Sequence, residues 1–196
     1  MRRPPARCDQ RGTTLIEVLV TVAILAIGLL GLAQLQARLQ ASEMEAYQRA
    51  QALVLLNDMV SRISTNRANA ASYAVTGTTG VPTYPSGNAT CPTDISTRAK
   101  ADLVEWCNAL AGAGEVTGGS RVGTVVGGRG CIESIGSGGV NAYLITVAWQ
   151  GLTPISAPPA EVACGKDDYD NAATACVNDL CRRTVTATVR IGSLTM

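Results

Sequence analysis

Residues 11–35 read R-G-T-T-L-I-E-V-L-V-T-V-A-I-L-A-I-G-L-L-G-L-A-Q-L. From Leu15 to Leu35 only Glu17, Thr21 and Gln34 interrupt the apolar run. As an α-helix this stretch is roughly 31 Å long, about the hydrocarbon thickness of a bilayer. A conventional signal peptide has a shorter apolar region, with small residues at a cleavage site beyond it. Here the chain continues through Gln36, Arg38, Gln40, Glu43 and Glu45 in the manner of an extending helix. An ordinary signal anchor fits the length but leaves Glu17 unexplained. An ionisable group near the embedded end of such a helix costs several kcal/mol unless paired or neutralised, which marks Glu17 as a functional candidate.

Upstream of this run the leader holds Arg2, Arg3, Arg7 and Arg11 against Asp9, whereas the rest of the chain is slightly acidic. A basic leader before an apolar helix places the N-terminus in the cytoplasm and the remainder across the membrane. Cysteine usage agrees. Of seven cysteines, Cys8 lies in the leader, and its removal leaves Cys91, Cys107, Cys131, Cys164, Cys176 and Cys181 as disulfide candidates for an oxidising compartment. Their spacing leaves the pairing open. No two have the C-x2-C spacing of a zinc site, so no metal centre is expected. The chain has no histidine and a net charge of +1. Histidine-based catalysis and zinc sites are thereby excluded, no cofactor is expected, and there is no basic footprint for nucleic acid.

Downstream, helical periodicity continues through Leu35, Leu39, Ala46, Ala50, Leu53, Leu56 or Asn57, Val60 and Ile63. This stripe is expected to pack on a sheet. One helix from about Thr14 to about Thr65 would be roughly 80 Å long, its first half projecting and its second embedded. Residues 74–93, rich in Thr, Gly, Pro and Ser, read as an irregular connection. Residues 95–111 read as a short helix with Leu103, Trp106, Cys107 and Leu110 on one side. Within the glycine-rich 112–139 stretch lie two apolar scraps, Val122–Val126 and Cys131–Ile135. The G-G-R-G of 127–130 lacks the Lys-Ser/Thr and helix of a phosphate loop and reads as turn glycine. Residues 140–150 and 183–191 alternate as strands, the second with a polar face of Thr184, Thr186, Thr188 and Arg190. Between them, Asp167, Asp168 and Asp170 lack the glycine and terminal Glu of an EF-hand and read as a solvated loop pinned by Cys164, Cys176 and Cys181. The class is α+β.

Arg11-Gly12 followed by Thr13-Thr14-Leu15-Ile16-Glu17 and an unbroken apolar helix resembles the class III signal of type IV pilin-like precursors. The resemblance implies a type IV pilin fold, with a long helix on an antiparallel sheet and disulfide-linked loops. It implies cleavage between Gly12 and Thr13 by a membrane prepilin peptidase and N-methylation of Thr13. The family usually has Phe at that position. Glu17 matches the family's glutamate at mature position five and would serve assembly, pairing with the new amine of another subunit. Related pilins melt part of this helix when packed in a filament, so unwinding near Gly28 is implied. The expected division is 1–12 leader, 13–36 membrane-spanning and filament stem, 37–66 amphipathic half-helix, and 67–196 globular domain.

Further pieces are similar to PilV-type minor pilins, the type IV pilus modification proteins. They are Gly28–Ala33, Ala50–Arg62 (A-Q-A-L-V-L-L-N-D-M-V-S-R), Asn66 with Tyr73, Asp102–Trp106 (D-L-V-E-W) and Ala148-Trp149. That likeness implies a non-enzymatic subunit that primes assembly at the filament tip and modulates adhesion or twitching. Implied partners are the inner membrane, prepilin peptidase, other minor and major pilins and a candidate tip adhesin. The implied location is single-pass in the inner membrane with a periplasmic domain, then the pilus on the cell surface. The alternative is an I-type minor pseudopilin of type II secretion, a group that tends to be shorter and poorer in cysteine. An anchored periplasmic enzyme lacks any constellation of catalytic residues.

Overall fold

A computed structural model describes residues 14–74, 84, 90–112, 116–117, 120–121, 125–136 and 141–192. The leader, the Gly12–Thr13 junction and most of the 74–93 connection lie outside the described residues. The chain divides into two compact units, Met1–Glu43 and Met44–Met196.

Helix α1 spans Leu15–Thr65. Thr14 opens it, its hydroxyl accepting from the Glu17 amide at 3.4 Å, as Thr commonly does at a helix N-terminus. The Thr21 hydroxyl donates to the Val18 carbonyl at 2.8 Å, which removes the cost of a bare hydroxyl in an apolar run. Gly28 and Gly31 are both helical, and a methyl group added at either would meet nothing within 4 Å.

In the second unit, the part of α1 from Met44 onward buries Gln48, Ala52, Leu56, Met59 and Ile63. These recur at three and four residues and form one helical stripe. Two members of the expected stripe, Leu56 and Ile63, are among them. Ala46, Ala50, Leu53 and Asn57 instead face outward, and Val60 is half-buried. Leu35 and Leu39, in the first unit, are exposed as well. The helix is apolar on two faces, so periodicity alone mixes residues of the inner face (Leu56, Val60, Ile63) with residues of the outer one (Ala46, Ala50, Leu53).

After a 3-10 turn at Arg67–Ser72, helix α2 runs Arg98–Leu110. It starts three residues later than its periodicity predicts, because the Thr97 hydroxyl accepts from the Lys100 amide at 3.3 Å and caps it there. Its end is marked by Gly112 at φ 77°, a left-handed conformation that glycine adopts at little cost. The inner face carries Ala99, Asp102, Leu103, Trp106, Cys107 and Leu110.

A two-residue hairpin pairs β1, Val116–Thr117, with β2, Ser120–Arg121. The main sheet is antiparallel, with β4, Asn141–Gln150, between β3, Arg129–Ser134, and β5, Arg182–Ile191. Ile132 lies opposite Ile145, which lies opposite Ala187. Strand β3 absorbs the second apolar scrap up to Ser134 and the last two residues of G-G-R-G. Gly127 is in a turn at φ 61°, but Gly130 is in the sheet, where a Cβ would stand 2.3 Å from the Trp106 ring. Tyr84 extends the β3 edge by a two-way backbone bridge to Gly130.

The core face of β4 presents Tyr143, Ile145, Val147 and Trp149, which join one cluster with Leu56, Met59, Ile63, Trp106 and Leu110. The other face is covered too. Ala148 and Cys131 pack with Cys164 and Tyr169 from the segment between β4 and β5. That segment is therefore more than the solvated loop expected from its charge, since Tyr169 plugs the second sheet face. Three disulfides join Cys91 to Cys107, Cys131 to Cys164 and Cys176 to Cys181. A long apolar N-terminal helix with a three-stranded antiparallel sheet and disulfides is the α+β type IV pilin fold.

Candidate assembly surface

Two features of α1 bear on function. In the first unit, Leu15–Glu43, no side chain is buried. Leu15, Ile16, Ile27 and Leu30 are each at least 70% exposed. Leaving that much apolar surface in water costs about 25 cal/mol per Å², so this surface requires a lipid or protein environment. It is one helix long and apolar enough to cross a membrane among the described residues. Glu17 stands on it, and its carboxylate has no hydrogen bond or ion pair among the described residues. The site pair Gly12 and Thr13 is outside them, so no geometry joins Glu17 to the cut.

In the second unit, the outward face of α1 is formed by Ala46, Tyr47, Ala50, Leu53 and Val54, with Tyr47 59% and Val54 63% exposed. Only Arg49, Asn57 and Ser61 break its apolar character nearby. A helix that needed only to cover a sheet would carry polar residues here. Ala46, Ala50 and Leu53, which periodicity assigns to the sheet-facing stripe, lie instead on this exposed face.

What holds α1 in this orientation is a polar network that sequence reading did not identify as a unit. Asp102 on α2 is 2% exposed. Its carboxylate accepts from Arg62 Nη1 at 2.9 Å, from Arg98 Nε at 3.0 Å and from the Tyr73 hydroxyl. Arg62 also pairs with Asp58 at 3.0 Å and Glu105 at 2.6 Å. Asn66 donates to the Tyr73 oxygen at 3.0 Å, and Trp106 Nε1 donates to the Leu55 carbonyl at 2.9 Å. Burial pushes the Asp102 carboxyl up, but donation by Tyr73, Arg62 and Arg98 outweighs it and holds the group below its usual range. Burial and Asp102 together push the Tyr73 phenol up. Apart from Arg98, the partners of this network come from the stretches 50–62, 66–73 and 102–106 that carry the PilV-like pattern. The signal was present: an arginine and an aspartate each sit at the edge of a buried helical stripe, with opposite sign.

Glu45 fixes the outer end of this unit. It accepts from the Leu152 amide at 3.2 Å and from Arg183 Nη2 at 3.2 Å. The acidic segment spends its carboxylates internally. Asp170 accepts from the Asn178 and Asp179 amides at 3.0 and 2.8 Å. Asp179 accepts from the Asp167 amide at 2.9 Å and pairs with buried Arg182 at 3.0 Å. Arg182 in turn donates to the Val162 and Cys164 carbonyls. Asp168 faces Arg129 at 3.4 Å. These bonds hold Asp167, Asn178 and Asp179 at positive φ, a conformation Asp and Asn tolerate better than most residues.

Residues 7–33 match the family model described as the prokaryotic N-terminal methylation motif. No curated protein and no solved structure matches the chain. The motif implies processing by prepilin peptidase and association with a membrane. Together with the exposed apolar helix, it supports a type IV pilin-like precursor with a pilin or pseudopilin role.

Proposed function

We propose that this chain is a minor pilin of the type IV pilus, PilV-like, that helps to prime assembly at the filament tip and to modulate adhesion or twitching. Cleavage after Gly12 frees the Thr13 amine, which is then methylated. The observation that carries the reading is the double-sided character of α1. Its inner stripe is satisfied by the sheet and α2, while its outer face and all of residues 15–43 lack a partner among the described residues. In the bilayer, lipid covers the N-terminal part. In the filament, the helices of other minor and major pilins take over that role, and an adhesin completes the tip.

Glu17 sets the register. Its carboxylate attracts the Thr13 amine of a neighbouring subunit, and in an apolar environment either charge alone is penalised. Subunits therefore leave the bilayer at one axial position. The N-terminal motif serves pseudopilins equally well. Six cysteines outside the leader and the Arg62–Tyr73–Asp102 pattern favour the pilin reading over an I-type pseudopilin.

The test is direct. Mass spectrometry of the mature chain should give an N-terminus at Thr13 carrying one methyl group. The chain should be present in sheared pili, and Glu17→Ala should be cleaved normally yet absent from them. Normal entry of Glu17→Ala into filaments would sink the role given to that residue. A null mutant defective only in protein secretion would overturn the pilin reading in favour of the pseudopilin.

A further inference from the structure

We draw no further inference here: the strongest candidate, the groove between Gln150–Pro154 at the end of β4 and the Asn171–Cys176 turn, which a backbone hydrogen bond closes, carries none because nothing in the structure shows what covers it.

Discussion

Arg62 of α1 and Asp102 of α2 meet at 2.9 Å, forty residues apart in sequence, and the contact is almost sealed from water on the aspartate side. Asp102 also takes the Tyr73 hydroxyl, so one carboxylate ties α1, the residue after the 3-10 turn and α2 together. Removing one partner of a buried pair is costly because the other is left desolvated, typically by about 3–5 kcal/mol. Arg62 keeps Asp58 and Glu105 and is itself part-exposed, which places the expected loss for Asp102→Ala near the lower end, about 3 kcal/mol. Arg98 is 72% exposed at its side chain, so Arg98→Ala should cost less than about 1 kcal/mol. Urea unfolding of the two variants, followed by tryptophan fluorescence, checks the ranking. Equal losses would remove Asp102 from the centre of the network.

The same carboxylate gives a pH signature. Its folded pKa lies below the ordinary value near 3.9, since its three donors outweigh its burial. A depressed carboxylate contributes stability in full above the unfolded pKa, and that contribution is lost as pH falls through the folded one. Stability should therefore hold down to about pH 4 and fall on further acidification. Asp102→Asn should be less stable at neutral pH and show a shallower acid limb. Parallel profiles for the two proteins between about pH 2 and 5 would count against this assignment.

Glycine substitutions separate packing from helix propensity. At Gly130 an added Cβ lies 2.3 Å from the Trp106 ring and 2.5 Å from Leu110 Cδ1, both fully buried. Neither ring nor leucine can withdraw without opening the α2–sheet contact, so Gly130→Ala should lose roughly 1–3 kcal/mol. Gly28 has open space around it, and Gly28→Ala should strengthen α1 by about 1 kcal/mol. If the filament requires unwinding near Gly28, that variant folds and is cleaved normally but enters filaments less efficiently. Thermal unfolding checks the first substitution, and quantification in sheared pili checks the second.

The long helix was legible because an uninterrupted apolar run passes into periodic sequence without a proline, from Leu15 to Thr65. Its inner phase was not. Ala46, Ala50 and Leu53 repeat as regularly as Ala52, Leu56 and Met59, and only the tertiary partners decide which set is buried. Strands β4 and β5 alternate over ten residues and could be read within a residue of their ends. Strand β3 could not, since R-G-C-I-E-S is short, contains a glycine and owes its place to Trp106 above Gly130. The acidic segment looked purely solvated because its charges mask the role of Tyr169, whose hydroxyl donates to the Gly127 carbonyl at 2.8 Å. Disulfide pairing depends on loop paths that spacing does not encode. Glu17 is marked as a candidate by its chemistry, a carboxylate within an apolar run, and its assembly role comes from the resemblance of residues 11–17 to the class III signal.

The outer face of α1 offers the sharpest separation between folding and assembly. Val54 is 63% exposed and Leu56, two residues on, is 3% exposed. Two residues correspond to roughly 200° around a helix, so these side chains point to nearly opposite sides. Val54→Glu adds a solvated charge to the free face and should alter stability by no more than about 0.5 kcal/mol. Leu56→Glu places an unpaired carboxylate among Met59, Trp106 and the sheet and should unfold the domain. If the outer face meets neighbouring helices in a filament, Val54→Glu is cleaved and folded yet depleted from sheared pili at least several-fold, because burying its charge there costs more than the contact returns. Wild-type incorporation of Val54→Glu, with the fold intact by circular dichroism, would remove this face from the subunit interface.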